Sequence, residues 1–230
     1  MKVNLSKRLE SIASYISPGS RVADVGTDHG YIPAWLIQNG ICERVIASDI
    51  KSGPLQTAVN TAKSAEVYDS IDFRLCSGLD EYSGDEVDEV IMAGMGGETL
   101  ISILDAKPWT RDKKLIMQPQ SKIPELRRWL RENGYVIEDA RLVYDAGRIY
   151  LVWLVTGGEE ASADALPFDI LIKKRDPLLG AYLDDMIKRT LKRLKGLEKA
   201  TMESGEELAA CREELEDLQK MKEEVMSWQK

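Results

Sequence analysis

Apolar positions along the first two thirds of the chain switch repeatedly between two periods, and beyond that only one of them persists. Leu5, Leu9, Ile12, Ala13 and Ile16 keep helical spacing and stop at Ser17-Pro18-Gly19, which predicts a leading helix. Short β-branched runs over 22–25, 44–48, 71–75, 87–92 and 115–118 then read as strands. Helical patterns over 31–39, 54–64, 98–104 and 124–132 follow four of them, with Pro54 well placed in a first turn. The strand at 71–75 leads instead into a short acidic connection. Segments 135–143 and 148–155 read as two strands joined by the turn Tyr144-Asp145-Ala146-Gly147.

Repeated strand–helix units imply a mostly parallel sheet with helices on both faces. Dinucleotide-binding folds more often end in a sixth parallel strand. A terminal antiparallel hairpin suits the Rossmann-like α/β fold with the seven-stranded sheet of S-adenosylmethionine methyltransferases. After Gly157-Gly158 the composition changes, and 159–166 reads as a linker, with a short apolar piece at 168–172 before Asp176-Pro177. From Leu178 onward only helix formers remain. Leu179, Leu183, Ile187, Leu191 and Leu194 form one stripe; Leu208, Cys211, Leu215, Leu218, Val225 and Trp228 form a second, with Ser204-Gly205 between. Two such helices predict an antiparallel coiled-coil hairpin. The expected division is a catalytic domain over 1–160 and a helical appendage over 165–230.

Composition narrows this further. With 43% hydrophobic and 30% charged residues in 230, the chain can bury a proper core. It has no run of roughly 18 apolar residues, so no membrane partner is expected, and the first eight residues lack a signal-peptide pattern. Three scattered cysteines and a single histidine, His29, argue against a metal site or a disulfide framework and for a reducing cytoplasm. The net charge of −8 hides a basic run in Lys173, Lys174, Arg175, Lys188, Arg189, Lys192, Arg193, Lys195 and Lys199. That run is either a solvated helix face or a polyanion-binding surface.

The chemistry concentrates in Asp24-Val25-Gly26-Thr27-Asp28-His29-Gly30-Tyr31, written as a strand, a tight turn and a helix start. A dinucleotide fingerprint would need its middle glycine where Asp28 stands, and a carboxylate there repels a pyrophosphate. The cationic sulfonium and ammonium of S-adenosylmethionine suit it instead. Asp49 closes the second strand, where an acid commonly takes a ribose diol. Three glycines beside a methionine in Ala93-Gly94-Met95-Gly96-Gly97 suggest backbone approached by a flat ligand, where a tight turn alone needs one or two. Cys76-Ser77-Gly78-Leu79 reads either as an adenine-pocket wall or as an ordinary loop, and His29 as a spacer or a base. Gln118-Pro119-Gln120 either presents amides to a substrate base or simply starts a helix.

These blocks, with Leu5-Ser6-Lys7-Arg8-Leu9 and Met117-Gln118-Pro119, resemble end to end the bacterial tRNA (adenine-22 N1)-methyltransferases. The resemblance implies transfer of the methyl of S-adenosylmethionine to N1 of adenine 22 in the tRNA D-arm, with tRNA as partner; a monomer is the expected state, which the residues themselves leave open. It places Asp24, Gly26, Thr27, Gly30, Asp49, Ile50, Ser77, Gly78, Leu79, Ala93, Gly94, Met95 and Gly96 at the cofactor, and Asp28 at the chemistry. Arg8, His29, Tyr31 and Gln118 fall to the substrate base, with Met95 a further candidate to pack on it. Lys188, Arg189, Lys192 and Arg193 on the appendage fall to tRNA phosphates. Two other readings stay open at this point: a non-catalytic nucleoside-binding adaptor with a helical arm, and a nicotinamide-dependent oxidoreductase.

Overall fold

A computed structural model of the chain describes residues 1–158, 168–198 and 205–228. The expected linker at 159–166, the domain boundary within it, Lys199 and Ser204 lie outside the described residues. The chain divides into two compact units, Met1–Pro167 and Phe168–Lys230.

Seven strands make one sheet in the first unit: β1 (Val22–Val25), β2 (Val45–Asp49), β3 (Ile71–Leu75), β4 (Glu89–Gly96), β5 (Lys114–Ser121), β6 (Tyr135–Asp145) and β7 (Arg148–Gly157). Their spatial order is β3-β2-β1-β4-β5-β7-β6, all neighbours parallel except the pairs involving β7. Strands in the middle of such a sheet are covered on both faces and carry no polar alternation. Val90-Ile91-Met92 and Leu115-Ile116-Met117 are accordingly buried without exception. Strand order reverses between β1 and β4, and a crevice opens there at the carboxyl edge.

The helices of this unit are α1 (Lys7–Ala13), α2 (Tyr31–Gln38), α3 (Ser52–Ser64), α4 (Gly97–Asp105) and α5 (Ile123–Glu132). The first is shorter than its apolar pattern, because Leu5 and Ile16 reach the core from the extended chain on either side. At the amino edge of the sheet, buried Glu89 accepts from the Ser17 backbone N–H (3.1 Å) and from Lys114 Nζ (3.2 Å). That pairing fixes the loop entering β1. β4 runs further than its sequence pattern, through the glycines to Gly96, with a bulge at Gly94 between Ala93 and Met95.

The two outer strands are built differently from the centre. β3 exposes Asp72, whose carboxylate takes Arg74, which also pairs with Glu86. β6 carries a bulge between Ile137 and Asp139, leaving Glu138 unpaired in the ladder. The β6–β7 turn places Ala146 and Gly147 both at positive φ, the tight hairpin geometry that matches strand twist.

The second unit holds α6 (Asp169–Lys174), α7 (Leu179–Leu197) and α8 (Gly205–Ser227). Lys222 Nζ bonds Gly180 O (2.8 Å) and Asp184 (2.7 Å), Arg193 pairs with Glu214, and Arg212 with Glu198 (3.2 Å). Partner numbers fall on α8 as they rise on α7, so the pair is antiparallel. Its seam keeps Leu179 and Leu183 buried and Ile187 and Leu194 half-buried, as the expected stripe has them, and departs from it at one place: Leu191 is 38% exposed, and Thr190 is buried, its hydroxyl directed to Glu214. Leu183, Thr190 and Leu197 repeat every seven residues, a period that two packed helices select over the 3.6 of one.

Gly157 on β7 is packed so closely that an added Cβ would lie 2.1 Å from the Arg111 carbonyl oxygen. Gly157→Ala is expected to cost about 1–3 kcal/mol through forced backbone movement, lowering Tm by about 2–4 °C per kcal/mol. Gly53→Ala, with nothing within 4 Å of the new methyl, should leave Tm unchanged or slightly raised in the same calorimetric scan.

Candidate active site

The β1–α2 turn is shaped by its own backbone before any side chain acts. The N–H groups of Gly26 (2.8 Å) and Thr27 (2.9 Å) both donate to the Ser48 carbonyl, docking the turn onto β2. Gly26, Asp28 and Gly30 alternate at φ +71°, +54° and +68°. Left-handed backbone is tolerated by glycine and, among other residues, best by Asn and Asp. The turn therefore holds Asp28 at the crevice and leaves room for little else there.

Two cavities meet at this turn. The larger, of about 750 Å3, opens between the ends of β1, β2 and β4 and the first turns of α4. Asp49 sits in its wall with both carboxylate oxygens oriented: one accepts the Lys51 N–H (2.9 Å), the other the Asp28 N–H (3.4 Å). Ile50, Ser77, Gly78, Ala93, Gly94 and Met95 line the same cleft, as expected. Gly94 alone of the three clustered glycines has open space where a side chain would project, its nearest neighbour there being Gln120 Nε2 at 3.6 Å. The smaller cavity, of about 130 Å3, is lined by Arg8, Asp24, Thr27, His29 and Tyr31 and shares Gly26, Asp28 and Ala93 with the first. Asp28 borders both. Its carboxylate lies 3.0 Å from His29 Nδ1, and the His29 ring tilts against Tyr31 at 5.5 Å.

Several expected ligand residues face elsewhere. Gly30 turns its Cα toward α3, where a Cβ would meet that of Ala58 at 2.8 Å, so helix packing requires this glycine. Gly97 lies against the end of β5, with Lys122 O 2.6 Å and Ser121 O 2.8 Å from a Cβ there, so close backbone packing explains it; at Gly96 a Cβ would meet only the Ser121 hydroxyl oxygen, at 3.0 Å. Leu79 is 1% exposed and belongs to the core. Gln118 is also 1% exposed: its Oε1 accepts Arg8 Nη1 (3.1 Å) and its Nε2 donates to Pro119 O (3.2 Å). With both ends of its amide engaged, it positions Arg8 and does not present itself to a base. Arg8 is further held over the Tyr150 ring, 5.4 Å from the centroid.

On α7, Lys188 and Lys192 are exposed and form no ion pair among the described residues, and Lys195 lies on the same helix face. Arg189 is paired with Asp185 and Arg193 with Glu214, which takes two of the four expected cations into intramolecular contacts. The residues that sequence reasoning missed are Val25, Ser48, Lys51, Pro54, Glu98, Thr99, Ser102 and Ile103 in the larger cleft. The 98/99 and 102/103 spacing, one helical turn apart, was the available signal for the last four. A cavity of about 550 Å3 at the opposite sheet edge is lined by Arg21 and Arg74, already paired with Asp88 and with Asp72 and Glu86.

Comparison with known proteins gives a consistent result. A family model described as a methyltransferase domain matches residues 5–153. The tRNA (adenine(22)-N(1))-methyltransferase of Bacillus subtilis is 30% identical over 184 residues, 79% of this chain and 76% of that protein. The crystal structure of the B. subtilis m1A22 tRNA methyltransferase TrmK superposes with a TM-score of 0.78 at 26% identity, covering 98% of this chain and 99% of that one. Streptococcus pneumoniae Sp1610, solved in complex with S-adenosyl-L-methionine, gives 0.80 at 29% identity, covering 95% and 100%.

Asp24, beneath the turn, is buried and accepts the Thr27 hydroxyl at 2.7 Å. Desolvation pushes its carboxyl up to about 6, against the opposing Thr27 bond and with help from Asp49. A raised carboxyl pKa means the folded state holds its proton longer than the unfolded chain. Stability therefore falls as pH rises from about 4 to about 6, and the penalty, on the order of 3 kcal/mol, is complete above that range. Asp24→Asn keeps an acceptor for Thr27 and removes the charge. It should raise Tm at pH 7.5 and leave it unchanged near pH 4; equal shifts at both pH values would exclude this account.

Proposed function

The chain belongs to the tRNA (adenine-22 N1)-methyltransferase family, and from that premise we propose that its larger cleft holds S-adenosylmethionine and its smaller pocket the target adenine, with Asp28 between them. The observation that carries this division of labour is the junction itself: Gly26, Asp28 and Ala93 border both cavities. The residues fit the cofactor. Asp49 has lone pairs free for a ribose diol beyond the two N–H bonds it accepts. The buried Ser48 hydroxyl beside the cleft faces the buried Tyr82 hydroxyl and has no other hydrogen-bond partner among the described residues. Acids at Asp24, Asp28 and Asp49 match a cationic ligand and oppose the pyrophosphate of a nicotinamide cofactor.

When bound, S-adenosylmethionine supplies an electrophilic methyl group. Adenine N1 has an unshared pair and no hydrogen, so no residue has to remove a proton from it before transfer. Alignment and charge stabilisation are what the protein contributes. The Asp28 carboxylate accepts the adenine N6 amino hydrogen, enriching N1, and stands beside the ring as positive charge develops on it. Tyr31 packs on the base, His29 orients Asp28, and Arg8, fixed by Gln118 and Tyr150, meets the adjoining phosphate. N1 lies in the Watson–Crick edge, so the nucleotide leaves its stack to enter the pocket. Lys188, Lys192 and Lys195 on α7 hold phosphates farther along the tRNA. The reading sets the enzyme in the cytoplasm, where tRNA is, acting as a monomer.

Incubation with labelled S-adenosylmethionine and unmodified tRNA, followed by mapping of the label, tests the activity directly; label absent from adenine N1 sinks it. Asp49→Ala should weaken S-adenosylhomocysteine binding in calorimetry by about 1.5–3 kcal/mol for each lost charged hydrogen bond, with little change in Tm. Asp28→Gly suits the left-handed backbone and removes only the carboxylate. It should keep that affinity within a few-fold while single-turnover methylation slows on the order of 100-fold, the scale of one lost transition-state contact.

A further inference from the structure

At the sheet edge that carries the smaller pocket, α1 and the β6–β7 hairpin are tied together. The Asp145 carboxylate accepts the Arg8 backbone N–H (3.1 Å) at the start of α1. Its pKa is held below the usual carboxylate range, first by a hydrogen bond from the Ser6 hydroxyl and next by that Arg8 N–H. Asp145 thus satisfies donors at the open first turn of the helix, where an acid is favoured by the helix dipole.

This engagement leaves a charge uncompensated. Asp145 faces Arg148 across the ladder and Val143 faces Tyr150, so Arg148 and Tyr150 stand on one face, two residues apart. Arg8 lies over Tyr150 on that same face and lines the smaller pocket. Arg148, whose cross-strand acid is turned to α1, makes no ion pair among the described residues, and neither does Lys7 next to Arg8. Both are exposed. In a chain of net charge −8, two unpaired cations near a pocket-lining arginine, one next to it in α1 and one two residues from its ring partner Tyr150, are a local departure from the average.

We propose that Lys7 and Arg148 flank Arg8 as a cationic rim that grips the ribose-phosphate backbone on either side of the extruded adenosine. The inference rests on the methyl-transfer reading above and adds to it: the catalytic unit itself takes hold of RNA, independently of the α7 lysines. A nucleotide drawn into the pocket brings one phosphate on each side, and a point charge and a planar guanidinium meet phosphates without reading sequence.

The test is equilibrium binding of an unmodified tRNA transcript by the full chain across a salt series, comparing wild type with the Lys7→Ala/Arg148→Ala double variant. The variant is expected to bind about 10-fold more weakly at low salt. Its slope of log K against log salt should be smaller by roughly 1.4–1.8, since each phosphate contact contributes about 0.7–0.9. Affinity for S-adenosylhomocysteine and Tm should not move, and Lys7→Arg/Arg148→Lys should restore both Kd and slope. An unchanged slope overturns the proposal, whatever happens to Kd. Failure of the underlying reading is distinct: there the wild type itself puts no methyl on adenine.

Discussion

Alternating left-handed backbone at residues 26, 28 and 30, docked by two N–H groups onto the Ser48 carbonyl, is the constraint on which the active edge depends. Each position has a different reason for its residue. A side chain at Gly26 would strike Met95 Cε at 2.6 Å, and one at Gly30 would strike α3. Between them, the position that borders both cavities has to accept positive φ with a side chain attached, and aspartate is among the few residues that do so at modest cost. The same turn aims the Asp28 N–H at Asp49 and its carboxylate at the neighbouring pocket. One backbone path thereby sets a wall of each cavity.

The cost of this arrangement is electrostatic. Asp24, Asp28 and Asp49 converge at one sheet edge, and Asp24 is buried with its pKa raised to about 6. Such a site is less stable empty than its packing alone would make it. Burying a carboxylate that only a hydroxyl satisfies makes sense where a positively charged ligand is to be bound, because the unfavourable field of the empty site becomes favourable once it is occupied. The smaller cavity follows another logic, in which Gln118 and Tyr150 fix Arg8 so that little side-chain entropy remains to be lost in any contact it makes there.

Much of this was legible in the chain itself. The continuous apolar runs of β4 and β5, the Asp24–Tyr31 turn and the terminal hairpin are local signals, and local signals survive folding. Asp49 and Asp28 could be placed because strand ends in a parallel sheet share an edge. Gln118 could not: whether an amide at a strand end faces a ligand or a neighbouring arginine depends on a partner 110 residues away. Gly97 misled for a related reason, since a glycine demanded by neighbouring backbone looks the same as one demanded by a ligand. On α7 the leucine spacing fitted a lone helix, while the seam followed the seven-residue repeat that only a packed partner imposes, putting Thr190 inside and Leu191 outside. The hold of Asp145 on α1 was invisible, being a contact between the two ends of the catalytic unit.

The outer strands carry a last consequence. An open sheet ends in two rows of unpaired backbone groups, and a long flat edge recruits strands from other molecules. β3 is five residues long and bears the Asp72–Arg74–Glu86 cluster. β6, at eleven residues the longer hazard, is broken by its bulge and charged at Glu138, Asp139 and Arg141. These side chains touch neither cavity at the β1–α2 turn, yet they discourage edge-to-edge aggregation as newly made copies fold at high local concentration. Replacing Asp72 and Glu138 by β-branched apolar residues would open a route to fibrous assembly.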